Sequence, residues 1–383
     1  MTVGVVIPLY NHERYIGDAL RSVLMQELAP DRIVIVDDGS SDGSVTAVRK
    51  FDDPRILLIE QENGGAHTAL NRGILQASDC DLIAILNSDD IYHRERLARC
   101  VSHLEDKPGL EMVVTGLRII DENARELPPD HPKARRSRSV WAAREFVVNP
   151  AEWLGIANFA KTSSNFVVRR DFLLSHPFKN YRYTHDYFLA AFAAMHNQLG
   201  VLEATLLSYR VHGTNTIKSD SNDKVTRETI RLNLELLKRL HPSLRASQAV
   251  RENYARYMRR LAENYSDFRF ESFLAALSET MGDVPEHAIR SILDSMTAEC
   301  FQELAEPTPK VLREKLAIQE LQTLEATLSH SRWYLLGRAL GKQPEVFDRE
   351  EPSASLRLSG ARKALKQSGW LRIGRRLGIE SDY

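Results

Sequence analysis

The sequence predicts an α/β protein in which a mostly parallel sheet flanked by helices is followed by an all-helical C-terminal region. Three observations predict it. The first ninety residues alternate short β-branched runs with amphipathic stretches. Acidic or glycine-bearing turns close several of those runs, and from about Ser219 onward helical periodicity takes over.

The runs Val3 to Pro8, Arg32 to Asp37, Ile56 to Glu60 and Asp81 to Leu86 read as strands. Between them, Tyr15 to Gln26 gathers Ile16, Leu20, Val23 and Leu24 on one helical face, and Thr68 to Ala77 does the same with Leu70 and Ile74. Right-handed crossovers bring the C-terminal ends of such strands to one edge of the sheet, where open α/β sheets bind ligands. Chemistry is therefore expected just after the strands.

Glu111 to Ile120 is a fifth strand candidate. Asp121 to Ser139, with three prolines and the basic cluster Lys133, Arg135, Arg136 and Arg138, reads as a long surface loop. It could cover a ligand's phosphates or be a solvated insertion. Asn165 to Arg169 reads as a strand, Asp186 to Met195 as a helix, and Leu202 to Val211 as a last extended run. The helical region that follows is punctuated by Pro242, Gly282, Pro307 and Pro309, and Leu321, Leu324 and Leu328 give it one packed seam.

A chain of 383 residues, 43% hydrophobic, suits two domains. Its 51 lysines and arginines balance 52 acidic residues, so no global charge draws it to nucleic acid or an anionic membrane. Cys80, Cys100 and Cys300 match neither a zinc site nor a redox pair, which points to a reducing compartment. The N-terminus begins in a strand rather than a signal segment, and no run approaches the ~18 apolar residues of a spanning helix. A cytoplasmic protein is expected, and nothing in the sequence fixes an oligomeric state.

Five motifs carry the candidate chemistry. Asp37-Asp38-Gly39-Ser40-Ser41-Asp42 follows a strand, where a carboxylate can accept base or ribose protons or simply cap a helix. Asn63-Gly64-Gly65-Ala66 lets backbone approach a ligand, and Asn71-Arg72-Gly73 follows in the next helix. Asn87-Ser88-Asp89-Asp90 offers oxygen ligands suited to Mg²⁺ or Mn²⁺. His185-Asp186 supplies a candidate general base, and Tyr209-Arg210-Val211-His212 a histidine for metal or phosphate. Taken alone, the acidic turn at Asn87–Asp90 reads more readily as a loop, and the His185-Asp186 and Tyr209–His212 motifs as an ordinary ion pair or cap. Neither GxGxxG nor GxxxxGK[ST] occurs after the strands, which argues against dehydrogenase and kinase chemistry.

In this order and spacing, together with Val5-Val6-Ile7-Pro8-Leu9-Tyr10-Asn11 and Tyr15-Ile16, the motifs resemble those of family 2 glycosyltransferases of GT-A fold over roughly residues 3–217. The resemblance implies a nucleotide-sugar donor held by Pro8, Tyr10 and Asp38, with Gly65, Asn71, Asn87 and Ser88 lining the donor side. It implies Asp89 as ligand of Mn²⁺ or Mg²⁺, His212 as a second metal or phosphate contact, and Asp186 as catalytic base of an inverting transfer. Two positions depart from the family pattern: Asn87 stands where aspartate is usual, and His185 where glutamate is usual.

The expected organisation is a catalytic domain over 1–218, a helical accessory region over 219–343 and a basic amphipathic tail over 344–383. A donor half ends near residue 120 and an acceptor half occupies 121–218. Ser331-Arg332-Trp333-Tyr334-Leu335-Leu336-Gly337-Arg338 is similar to a tail segment of bacterial surface-polysaccharide glycosyltransferases. No acidic residue occurs from Pro352 to Ile379, while basic and apolar residues alternate, a pattern that fits either peripheral contact with an anionic membrane or a solvated basic tail. The acceptor is then a lipid-linked glycan if the tail meets membrane, and a soluble glycan or protein otherwise. The alternative readings are a nucleotidyltransferase and a catalytically silent sugar-nucleotide or glycan-binding module.

Overall fold

The computed structural model describes residues 1–213 and 222–264. The leucine seam, the later proline and glycine breaks and the basic tail lie outside the described residues.

The first half is β1 (Val3–Leu9), α1 (Ile16–Leu24), β2 (Arg32–Asp37), α2 (Ser44–Val48), β3 (Ile56–Glu60), α3 (Ala66–Gln76) and β4 (Leu82–Ile85). These four strands are parallel in the order β3-β2-β1-β4, as right-handed βαβ crossovers require. Helix α1 buries Ile16, Ala19, Leu20 and Val23 in the core formed by Val5, Ile7, Ile33 and Ile35. Helix α3 lies so close to β1 that a Cβ on Gly73 would meet Val6 Cγ1 at 2.4 Å, which explains that glycine as a packing residue.

The second half adds β5 (Ile91–Tyr92), α4 (Arg96–Asp106), β6 (Met112–Ile120), α5 (Pro132–Ala142), α6 (Pro150–Ile156), β7 (Val167–Arg169), α7 (Arg170–Ser175), α8 (His185–Met195) and β8 (Leu199–Arg210). Strand β7 is antiparallel to both β4 and β6, and β6 is parallel to β8, so β8 ends on the same sheet edge as β1, β2 and β4. The completed sheet runs β3-β2-β1-β4-β7-β6-β8-β5. A Rossmann-like parallel half joined to a mixed half, with helices on both sides, is the expected GT-A architecture.

One expectation fails in this half. The latter part of the Asp121 to Ser139 stretch, read as surface loop, falls in α5: Pro132 occupies the first helical turn, where its missing N–H is no loss, and the His131 side chain accepts from Lys133 N. The proline thus opens a helix.

Beyond the sheet, α9 (Asn222–Ala246) and α10 (Gln248–Asn264) are long helices, and α9 continues through Pro242 instead of ending there. Helix α10 docks on α6 through a buried ion pair, Glu152 Oε1 to Arg260 Nη2 at 2.5 Å, with Arg259 Nη2 at 3.2 Å from the same oxygen. Among the described residues no helix is long and apolar enough to cross a membrane.

Candidate active site

The turns leaving β1, β2, β4 and β8 meet at one edge. The turn after β1 is tied to the turn after β2, where Asn11 N donates to Ser40 Oγ and Ser41 N donates to Asn11 Oδ1. Pro8 lies half-buried on β1, and Tyr10 is exposed at the rim.

At the end of β2 the two aspartates part company. Asp38 spends both oxygens within the protein: Oδ1 accepts from Gly64 N and Gln61 Nε2, and Oδ2 accepts from Gly65 N. Gly65 sits at φ +90°, a conformation open to glycine, so that its N–H reaches the carboxylate. Asp37 gives Oδ2 to Ser40 N, while its Oδ1 is buried with no hydrogen-bond partner among the described residues. The sequence reading chose Asp38 and passed over Asp37, and an orphaned buried oxygen is visible only in the fold.

Asn71 is engaged with the backbone. Its Nδ2 donates to Phe178 O and its Oδ1 accepts from Phe178 N, clamping α3 to the loop before α8. Asn87 is similarly occupied: Nδ2 donates to Thr162 Oγ1, Oδ1 accepts from Ser163 Oγ, and its N–H meets Ser164 Oγ. The amide that replaces the family's aspartate thus fastens β4 to the 162–164 turn. Arg96, fully buried, supports that turn from behind through Ser164 O, Asn165 Oδ1 and Thr115 Oγ1.

Asp90 is buried and accepts from Ser164 Oγ and from Arg210 N. Burial and then the charge of Asp89 push its pKa well above the usual carboxylate range. Arg210, stacked over Tyr15 at 4.9 Å, bonds Asp89 O and Asp18 Oδ2 and so locks the end of β8 to the acidic turn.

Asp89 turns the other way. Its Oδ2 lies 3.0 Å from His212 Nε2. His12, from the turn after β1, joins them: ligand atoms of His12, Asp89 and His212 all lie within 4.8 Å of one another. His12 Nδ1 is 2.8 Å from Ser88 Oγ; in the tautomer that donates there, Nε2 carries the lone pair. Burial chiefly, helped by His212 and Arg210 against the pull of Asp89, holds His12 below the usual imidazole range and so in the neutral form a metal needs. Two neutral-capable imidazoles and a carboxylate fit a divalent cation. His12 was missed in the sequence because it lies in a turn with no spacing relation to Asp89.

Asp186 lies buried in the first turn of α8, and Tyr187 N donates to its Oδ1. Burial raises its pKa, against the lowering effects of His185 and of hydrogen bonds from Tyr187 N and the Asn158 side chain. The chain entering α8 is held from α9: Glu228 accepts the backbone N–H groups of Arg182, Tyr183 and Thr184 and the Thr184 hydroxyl. Burial together with the charges of Asp90, Asp89 and Asp186 drives the phenol of Tyr209 on β8 upward, so all three carboxylates lie within electrostatic reach of that ring.

Residues 4–174 match the family model described as glycosyl transferase family 2. An uncharacterized glycosyltransferase of Rickettsia typhi is 30% identical over 137 residues, 36% of this chain and 42% of that protein. Glycosyltransferase GlyG of Streptococcus pneumoniae is 33% identical over 124 residues, 32% of this chain and 40% of its own. The matches thus span less than half the length of these curated relatives. Among solved structures, S. aureus TarS is similar at a TM-score of 0.49 and 18% identity, covering 75% of this chain and 50% of that one. Over residues 4–174, the stretch that builds the parallel sheet and its acidic strand ends, this chain matches glycosyl transferase family 2.

Proposed function

We propose that the protein transfers a sugar from a nucleoside-diphosphate sugar to an acceptor hydroxyl with inversion at the anomeric carbon. The observation that carries the reading is the His12–Asp89–His212 cluster together with the buried carboxylate of Asp186, Asp89 and Asp186 both lying within electrostatic reach of Tyr209. Asp186 takes the proton of the acceptor hydroxyl as that oxygen attacks, and the nucleoside diphosphate departs from the opposite face. A raised pKa suits this base, because a less acidic carboxyl accepts a proton more strongly.

A divalent cation held by His12, Asp89 and His212 would offset charge on the departing diphosphate. Asp37, Asp38 and the Gly64-Gly65 loop form the nucleoside end, with Pro8 and Tyr10 beside them. Asn71, Asn87 and Ser88 act by fixing the site's walls and ligands. An intracellular setting and an acceptor belonging to cell-surface polysaccharide or glycoconjugate synthesis remain part of this proposal.

The test is release of nucleoside diphosphate from a panel of nucleotide sugars by the full chain with Mn²⁺, with the product's anomeric configuration read by NMR. Pyrophosphate release would replace the reading with nucleotidyl transfer, and donor binding without turnover across a broad acceptor panel would leave a binding module. Because imidazole nitrogen is a poor ligand for Mg²⁺, Mn²⁺ should bind more tightly than Mg²⁺, by about ten-fold or more. Titration calorimetry checks this, and His12→Ala should narrow the gap between the two metals.

A further inference from the structure

On the donor half most surface cations are neutralised: Arg14 pairs with Glu122, Arg32 with Asp79, Arg49 with Glu60 and Arg55 with Asp53. Beside Asp186 the pattern breaks. Lys133 and Arg136, one helical turn apart on α5, and Lys161, in the turn before β7, form no ion pair with any carboxylate of the described residues. In a chain of net charge −1 this is a local concentration and no reflection of general basicity.

Lys161 is held deliberately. Its backbone takes φ +67°, the left-handed region that side-chain-bearing residues disfavour, and Asn158 Oδ1 fixes it there by accepting Lys161 N–H at 2.9 Å. In that conformation Nζ lies 5.2 Å from the Tyr209 ring centre. The same Asn158 side chain bonds the Asp186 carboxylate, so lysine and base are joined through one amide. Burial, then the fields of Arg136 and Lys133, destabilise the charged lysine, the condition an incoming anion would relieve.

The ligand that relieves it should be a phosphate, whose two charges and several acceptor oxygens match three converging cations. It should belong to the acceptor. Lys161 is linked to Asp186 through Asn158, and both α5 and the 158–161 turn lie beyond the parallel half. We propose that Lys161, Lys133 and Arg136 form a subsite for a phosphate carried by the acceptor, beside the hydroxyl that Asp186 activates. This rests on the transferase reading above and adds the acceptor's class, an anionic, phosphate-bearing hydroxyl compound.

The probe is glycerol 3-phosphate, with glycerol as its uncharged control, titrated into the full chain holding Mn²⁺ and whichever of UDP, GDP or dTDP binds it best. Glycerol 3-phosphate should bind at least ten-fold more tightly than glycerol. Lys161→Gln and the double variant Lys133→Gln/Arg136→Gln should each weaken it about ten-fold, Lys161→Arg should largely retain it, and nucleotide affinity should stay within about two-fold. Lys161→Gly removes the backbone strain and so should melt no lower than wild type while losing the probe. Equal binding of probe and control, or probe affinity indifferent to these variants, overturns the subsite. A fall in nucleotide affinity in place of probe affinity overturns it too, by assigning the cations to the donor diphosphate. Absence of any nucleotide binding to the wild-type chain brings down the transferase reading itself.

Discussion

The acidic pairs at the ends of β2 and β4 look alike in sequence and are used in opposite order. At β2 the second acid, Asp38, is consumed by backbone donors of the Gly64-Gly65 turn, and the first, Asp37, keeps a buried oxygen without a partner. At β4 the second acid, Asp90, is consumed by Ser164 and Arg210 N, and the first, Asp89, turns to two histidines. In each turn one carboxylate is held by loop donors while its neighbour keeps an oxygen for other partners. In both pairs the structural half is the second aspartate.

Substitutions at the two turns test this division. The largest effect should come from Asp89→Ala, which removes the carboxylate of the His12–Asp89–His212 cluster: turnover should fall on the order of 10³-fold, with Mn²⁺ binding lost by calorimetry. Mn²⁺ affinity within two-fold of wild type would assign the cluster another role.

Next comes the candidate base. Asp186→Asn should lower kcat by about 10² or more with donor affinity nearly kept, because a base acts chiefly in the transition state. Burial raises the pKa of Asp186, so its ionised form is present above that raised value and is lost as pH falls through it. The acid limb of the wild-type kcat profile should therefore lie above the ordinary aspartate range, and a limb within that range would contradict the assignment.

The smallest effects should separate the β2 acids. Asp38→Asn leaves the Gly64 and Gly65 N–H groups competing for one carbonyl oxygen and should destabilise the fold by roughly 1–3 kcal/mol. Asp37→Asn should change the melting temperature little and weaken nucleotide binding by about ten-fold. The reverse result, with Asp38 sensitive in affinity alone, would restore the simpler reading in which the second aspartate grips the nucleotide.

Much of this was legible in the residues themselves. The β-branched runs fixed β1 to β4, and four of the motifs that follow strands, ending at Asp38, Gly65, Asp89 and His212, do converge on one edge, because parallel strands joined by right-handed crossovers share an edge. The roles of Asn71 and Asn87 were not legible. A side-chain amide reads the same whether it meets a ligand or, as here, the backbone of Phe178 or the hydroxyls of Thr162 and Ser163. Nor was α5, since three prolines obscured a helix that Pro132 begins.

By itself, the sequence determined the sheet's parallel half, the edge on which chemistry gathers and the resemblance to family 2 glycosyltransferases, because hydrophobic period and turn residues act locally along the chain. Only the tertiary structure decided which aspartate of each pair is held by its loop, that His12 joins Asp89 and His212, that Glu228 of α9 fastens the start of α8, and that Lys161 reaches the Tyr209 ring. Those are contacts between groups far apart in sequence, and no local pattern encodes which distant side chain claims a given donor or acceptor.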